Sequence, residues 1–120
     1  MPSPQDALPA RRRRLTAQVA ALERAFAALV AATEGANTDD EHDPEGSTIA
    51  FERSQLCASL AAARAGLAEV EHALARVADG TYGRCEACGE PIAPGRLDAL
   101  PSATTCVGCA GRLSRGTGRT

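Results

Sequence analysis

Four cysteines close to the C-terminus are the residues of this sequence best suited to bind a metal ion. They form two Cys-x-x-Cys pairs separated by 17 residues: Cys85, Cys88, Cys106 and Cys109. Two thiolates from each pair can complete a tetrahedron around one Zn²⁺, with sulfur–metal distances of about 2.3 Å and no position left for water. The spacing therefore predicts one closed, structural zinc site with no catalytic role.

Other chemistries of paired cysteines fit this sequence less well. Two disulfides need an oxidising compartment, and the sequence lacks the hydrophobic core of a signal peptide. A redox dithiol needs only one pair, and iron–sulfur clusters usually show other spacings.

Glycines beside both cysteine pairs can form the turns that the site needs. Gly89, directly after Cys88, fits a turn with positive φ, and Gly108 and Gly111 are candidates for the same role around the second pair.

Two heptad patterns upstream predict the helices that must position this site. From about Ala10 to Thr33 the seam is Leu15, Val19, Leu22, Phe26 and Leu29. A second helix starts at Asp43–Pro44 or at Ser47 and ends near Ala78, before Asp79 and Gly80. Apart from the polar Arg53, its seam is apolar: Ile49, Leu56, Leu60, Ala63, Leu67, Val70, Leu74 and Val77.

The composition favours thin helical packing over a thick core, because aromatic residues make up 2% of the chain and Trp is absent. We therefore predict a mainly α fold, an antiparallel two-helix coiled-coil hairpin followed by a small C-terminal zinc finger with four cysteine ligands. The predicted domains are a flexible lead over 1–9, the hairpin over 10–79 with an acidic tip at 34–46, the finger over 80–110, and a flexible basic tail over 111–120.

Charge is distributed unevenly along the chain, although the formal net charge is only -2. That balance does not predict nucleic-acid binding. Arg11–Arg14 form an arginine run, and the predicted tip is an acidic run without a cation: Asp39, Asp40, Glu41, Asp43 and Glu45 together with Glu34. No long apolar stretch suggests a membrane span, and we expect a cytoplasmic protein.

Two further residues of types that can bind metals or react lie on the second predicted helix. Cys57 falls beside the seam and is interpreted as a small apolar flanking residue. His72 falls opposite the seam and is interpreted as a solvated residue. Neither is expected to join the zinc site.

The finger carries a longer motif than its cysteines. The segment Tyr-Gly-Arg-Cys-Glu-Ala-Cys-Gly-Glu-Pro-Ile over 82–92 is followed by Arg-Leu-Asp-Ala-Leu-Pro over 96–101 and by the second cysteine pair. This pattern, with the preceding hairpin and its acidic turn, resembles the DksA/TraR family of C4 zinc-finger proteins. The resemblance extends from about Leu15 to Ala110.

The resemblance implies a bacterial transcription regulator that binds RNA polymerase directly, is not an enzyme, and makes no sequence-specific contact with DNA. In that family the coiled coil enters the secondary channel of the polymerase, and its acidic tip modulates initiation complexes near the catalytic centre. By resemblance, the tip residues here are Asp39, Asp40, Glu41, Asp43 and Glu45. A monomer is expected, and the alarmone ppGpp is a further candidate partner.

The tip departs from the family signature Asp-x-x-Asp-x-Ala. Asp40 and Asp43 supply both acids, with Glu45 in place of Ala, whereas an alignment that starts at Asp43 retains only the first acid.

Two rival functions stay open beside regulation of RNA polymerase. One is a zinc protein that binds nucleic acid through arginines, and the other is a transcript-cleavage factor that holds magnesium with the tip carboxylates. The nucleic-acid hypothesis uses Arg84, Arg96, Arg112, Arg115 and Arg119.

Overall fold

The computed structural model describes residues 3–35 and 44–117 of the chain. Within these ranges the fold is mainly α, without strands, and its helices are α1 (Pro4–Gly35), α2 (Pro44–Asp79), α3 (Pro94–Ala99) and α4 (Val107–Thr117). The predicted fold class is therefore confirmed. The chain divides into two compact units, the first formed by Met1–Arg13 with Ala68–Thr120 and the second by Arg14–Leu67.

Helix α1 begins six residues before the predicted start, within the segment that we predicted to be a flexible lead. Ser3 precedes the helix, and its hydroxyl oxygen accepts a hydrogen bond from the backbone N–H of Asp6 at 3.1 Å. Pro4 occupies the first helical position, where a missing N–H costs nothing. The sequence Ser-Pro-x-Asp is thus a helix start signal that the heptad pattern alone does not reveal.

Leu8 explains why this early turn is stable. It lies one heptad before Leu15 and is fully buried in the first unit, as are Val70 and Ala73 of α2. The helix continues through Pro9, which lies in its second turn and cannot donate a backbone hydrogen bond to the carbonyl of Gln5. Burial of a leucine side chain contributes about 2 kcal/mol, which helps to offset that loss.

The second unit contains the hairpin contacts between α1 and α2. Arg64 Nη2 lies 2.8 Å from Glu23 Oε2 across the two helices. A Cβ atom at Gly66 would lie 3.6 Å from both terminal carbons of Leu15, so this seam residue of α1 lies against α2 at Gly66. Arg53, the one polar member of the α2 seam, is exposed, whereas its seam neighbours Ile49 and Leu56 are half-buried.

Helix α2 ends as the sequence predicts. Gly80 has a φ of 81°, and its N–H donates to the carbonyl of Val77 at 3.3 Å while the N–H of Thr81 donates to that of Arg76 at 2.9 Å. This pair of hydrogen bonds is the Schellman arrangement, which needs a left-handed residue at the position of Gly80. The carboxylate of Asp79 accepts hydrogen bonds from Thr81, and they lower the pKa of Asp79.

Two glycine substitutions on α2 are expected to change stability in opposite directions. Gly66→Ala places a methyl group in ordinary contact with Leu15 and removes glycine's extra freedom from the unfolded chain, so we expect stabilisation of about 0.5–1 kcal/mol. Gly80→Ala forces alanine into positive φ and should destabilise by roughly 1 kcal/mol. Denaturant unfolding measures the change in the free energy of unfolding for each variant. Changes of the same sign in the two variants would contradict the assigned backbone conformations.

Helix α1 also meets a length and composition criterion for a membrane span. An apolar, alanine-rich window within Pro4–Glu34 carries few enough charges to qualify, contrary to the expectation from the sequence. Its apolar residues are also those of the heptad seam that pairs with α2, as Leu15 beside Gly66 illustrates. A helix that packs against a partner inside a hairpin meets the same criterion, so this observation is weak evidence for a membrane span.

Candidate metal centre

The four predicted cysteine ligands converge in the first unit. One sulfur from each of Cys85, Cys88, Cys106 and Cys109 lies within 4.8 Å of every other. The sulfurs of Cys88 and Cys106 are 4.0 Å apart, close to the separation of about 3.8 Å that a tetrahedral zinc–thiolate site requires. The donor set and its spacing therefore fit one Zn²⁺ ion.

The first cysteine pair lies in a tight reversal of the chain. The N–H of Cys85 donates to the carbonyl of Glu90 at 2.8 Å, and the N–H of Gly89 donates to the carbonyl of Cys85 at 2.9 Å. Gly89 has a φ of 80°, so the predicted positive φ is confirmed. The left-handed residue allows the chain to turn directly after Cys88 and brings both sulfurs to one side.

The second cysteine pair is presented by the start of α4 and not by a glycine turn. The N–H of Cys109 donates to the sulfur of Cys106 at 3.4 Å, and the N–H of Ala110 donates to the carbonyl of Cys106 at 2.9 Å. Cys106 therefore occupies the N-cap position. Gly108 and Gly111 lie within the helix without positive φ, so the prediction that they form turns is wrong.

Helix α4 continues through residue Thr117, over most of the segment that we predicted to be a flexible basic tail. Composition was misleading here, because glycine, serine and threonine disfavour helix interiors. The sulfur N-cap and the buried Cys109 in the first turn supply local stabilisation that helix propensities do not include.

The sulfurs differ in their proton affinity. A backbone hydrogen bond from Cys106 is the main cause that lowers the pKa of Cys85 to about 6, and a backbone hydrogen bond from Cys109 lowers that of Cys106. The pKa of Cys109 rises to about 12, chiefly through its side-chain hydrogen bond with Cys106. A bound divalent cation displaces the thiol protons and supplies the positive charge that lets all four sulfurs be deprotonated together.

A cation already lies beside the least acidic sulfur. Arg112 is one turn further along α4, and its Nη2 donates to the sulfur of Cys109 at 2.9 Å. The guanidinium lowers the pKa of Cys109, although this effect is smaller than those that raise it. Four thiolates on one Zn²⁺ leave a net charge of -2, and an adjacent arginine compensates part of that charge.

The finger has few apolar residues to hold it together. Its buried cluster consists of Cys85, Ile92, Leu97 and Cys109, so half of its members are candidate metal ligands. Leu100 and Val107 are 46% and 65% exposed, respectively. Tyr82 adds a hydrogen bond from its hydroxyl to the carbonyl of Pro101 at 2.6 Å. Such a small core cannot stabilise the finger alone, and metal binding must contribute most of the folding free energy.

The end of α2 contacts the finger through polar residues that the sequence patterns did not reveal. Arg76, whose side chain is 13% exposed, lies 3.6 Å from a carboxylate oxygen of Glu86. It also donates to the carbonyl of Thr81 at 3.0 Å and to that of Arg84. His72 Nε2 lies 2.9 Å from the same oxygen of Glu86, so His72 is only half solvated. Its hydrogen bond is the main cause that lowers the pKa of Glu86.

Replacing Arg76 with methionine should destabilise the first unit by about 2 kcal/mol. The substitution retains much of the aliphatic packing but leaves two backbone carbonyls and Glu86 without their charged donor. Urea unfolding of the zinc-loaded protein measures the change. Arg24→Met, at an exposed position of α1, is the matched control and should change stability by less than about 0.5 kcal/mol. Equal effects would contradict the role assigned to Arg76.

The other predicted functional residues lie elsewhere. Four residues of the predicted acidic tip are outside the described part of the chain: Asp39, Asp40, Glu41 and Asp43. Glu45 lies in the first turn of α2, with its side chain outside the described part. Since α2 begins at Pro44, the first of the two predicted helix starts agrees with the structure. Cys57 is exposed in the second unit and is not among the four clustered cysteines.

Comparisons with known proteins agree with this geometry. Residues 80–115 match the family described as the prokaryotic dksA/traR C4-type zinc finger. The RNA polymerase-binding transcription factor DksA of Caulobacter vibrioides is 51% identical over 41 residues, which cover 34% of this chain and 29% of that protein. The uncharacterized protein YteA of Bacillus subtilis is 41% identical over 66 residues, 55% of this chain and 28% of that protein.

Similarity of structure extends further along the chain than similarity of sequence. The transcription factor DksA2 from Pseudomonas aeruginosa matches with a TM-score of 0.73 and 25% identity, over 95% of this chain and 82% of that one. By contrast, this chain spans less than a third of the length of the two curated relatives above.

The family match and the sulfur cluster confirm the predicted cofactor, one structural Zn²⁺. The assignment of each cysteine as a ligand stays a prediction.

Proposed function

Because this chain belongs to the DksA/TraR family of C4 zinc-finger proteins, we propose that it is a cytoplasmic transcription regulator that acts by binding RNA polymerase. One observation carries the proposal: the structural similarity to transcription factor DksA2 covers 95% of the chain, and so includes both long helices as well as the finger. A relative of the finger segment is itself named as a polymerase-binding factor, which supports the same partner.

The hairpin is the element that we propose to enter the polymerase. Each α-helix is about 10–12 Å in diameter with its side chains, so a pair of helices can pass through a narrow channel that excludes a globular domain. The acidic segment over 34–46 connects α1 to α2. Carboxylates brought near a catalytic centre that uses magnesium would change the local charge and metal coordination, and so the lifetime of initiation complexes.

In this proposal the zinc finger has a structural role and the chain performs no reaction of its own. The zinc ion would hold the two cysteine pairs together and leave no open coordination position for a substrate. The contacts of Arg76 and His72 with Glu86 join the finger to the end of α2 within the first unit. We propose that the protein acts as a monomer, and a contribution from ppGpp stays a prediction.

Binding to purified core RNA polymerase tests the proposal. We expect the unlabelled zinc-loaded chain to co-elute with core polymerase in size-exclusion chromatography, with gel electrophoresis of the fractions to detect both proteins. Absence of co-elution at micromolar polymerase would refute the proposed partner.

A further inference from the structure

The arginine run, Arg11–Arg14, has no role in the proposed function. No aspartate or glutamate occurs between Asp6 and Glu23, so the run has no acidic neighbour one turn away on α1. Within the first unit, Arg11 is half-buried, whereas Arg12 and Arg13 are exposed. Like charges one turn apart, as at Arg11 and Arg14, destabilise a helix, and an external anion would offset that cost.

The guanidinium groups of the run have no acceptor within the described residues. The ion pairs and hydrogen bonds found over 3–35 and 44–117 do not include Arg12 or Arg13. Arg11 Nε is buried without any hydrogen-bond partner. That atom is occluded from the surface, so the groups available to an external anion are the exposed guanidinium groups of Arg12 and Arg13.

The arginines of the finger provide a contrast. Arg96 Nε donates to the carbonyl of Thr105 at 2.8 Å, and Arg112 donates to the sulfur of Cys109. Arg84 donates to the carbonyl of Gly89 at 3.3 Å. These side chains are committed to contacts within the finger, so the finger is the less suitable surface for an external anion.

We propose that Arg12 and Arg13 form a surface that binds nucleic-acid phosphates without regard to sequence. Successive residues on a helix point about 100° apart, so the two exposed side chains diverge. Phosphates placed along a nucleic-acid backbone can meet two diverging guanidinium groups, and each can be bound through two N–H donors.

Neither Arg12 nor Arg13 has a part in the proposed action on polymerase, so this surface goes beyond the proposed function. Its affinity should be that of a non-specific site, with a Kd in the range of about 10⁻⁴–10⁻⁶ M at physiological salt. Removing two phosphate contacts should reduce the slope of log K against log salt by about two.

Fluorescence anisotropy with a labelled DNA duplex of about 20 base pairs, titrated with the zinc-loaded chain between about 50 and 200 mM salt, tests the inference. We expect binding that weakens steeply with salt, and an Arg12→Gln/Arg13→Gln variant whose affinity at the lowest salt is at least tenfold lower and whose salt slope is shallower. The matched control is Arg24→Gln/Arg53→Gln, which removes two exposed arginines from the second unit and should bind like the parent chain.

Three outcomes would overturn the inference. They are no binding of DNA at the lowest salt, an equal loss of affinity in the two double variants, and tighter binding of labelled polyglutamate than of DNA. The last outcome would assign the surface to an acidic protein partner. Circular dichroism and zinc content verify that each variant is folded, so a misfolded protein is not mistaken for a loss of contact.

Discussion

Replacing Cys85 with serine is expected to release zinc and unfold the finger. Cys85 is buried, its sulfur lies within 4.8 Å of the other three, and it is part of the small apolar cluster. Serine offers a weak oxygen donor that remains protonated at neutral pH, so the site loses one of its four thiolates. Apparent binding free energies of structural zinc sites are on the order of 10–16 kcal/mol, and much of that free energy drives folding.

Because half of the buried cluster consists of candidate ligands, the loss should spread through the finger. We expect a zinc content near zero, against one ion per chain in the parent protein. We also expect loss of dispersed amide resonances over residues 82–113. The second unit, which shares no sulfur ligand, should retain its helical signal, and circular dichroism together with amide hydrogen exchange can follow each unit separately.

The control for this substitution is Cys57→Ser. Cys57 is exposed and lies in the second unit, so its replacement should leave zinc content, stability and spectra unchanged. Equal zinc loss in both variants would mean that the ligand set is wrong. Retention of zinc by Cys85→Ser after exposure to a chelator would contradict the account in the same way.

Replacing Asp40 and Asp43 together with asparagine is expected to abolish regulation without weakening polymerase binding. Asparagine preserves size and polarity but removes the charge through which we propose that the tip acts on a magnesium-dependent centre. The half-life of an open promoter complex is the measurement. Wild-type protein should change it severalfold, and the double variant should give the half-life seen without the regulator.

The matched control for the tip is Glu52→Gln/Glu71→Gln. It removes two carboxylates from exposed positions of α2 and leaves the acidic segment intact. We expect this control to regulate like the parent chain. Full activity of the Asp40→Asn/Asp43→Asn variant would remove the tip from the proposed mechanism, and loss of polymerase binding would show that the two aspartates serve attachment instead.

The sequence predicted the features that depend on spacing. Heptad positions such as Leu15 identified the seam, Gly80 identified the end of α2, and two cysteine pairs with the intervening motif identified the finger. Each of these signals is local or periodic, so it can be read without knowledge of tertiary contacts. The zinc ion could be predicted from the same spacing, because two Cys-x-x-Cys pairs supply the four thiolates of a tetrahedral structural zinc site.

Features that depend on tertiary contacts were missed. The start of α1 was placed too late because the seam was traced only from Leu15, although Leu8 continues the heptad pattern and is fully buried. Helix α4 was missed because its composition disfavours a helix, whereas the sulfur of Cys106 caps it. The contact between His72 and Glu86 joins residues 14 positions apart, and no local pattern indicates such a pair.

The most direct test of the account is a crosslinking map of the complex with core RNA polymerase. A photoreactive phenylalanine analogue in place of Phe51, which is 63% exposed on α2 near the acidic segment, reports where the hairpin lies. The same analogue in place of Val107, 65% exposed on α4, reports on the finger. We predict adducts from position 51 inside the secondary channel and adducts from position 107 only at or outside its entrance. Adducts from position 51 confined to the outer surface of the polymerase, while the protein is bound, would contradict the proposed mode of action.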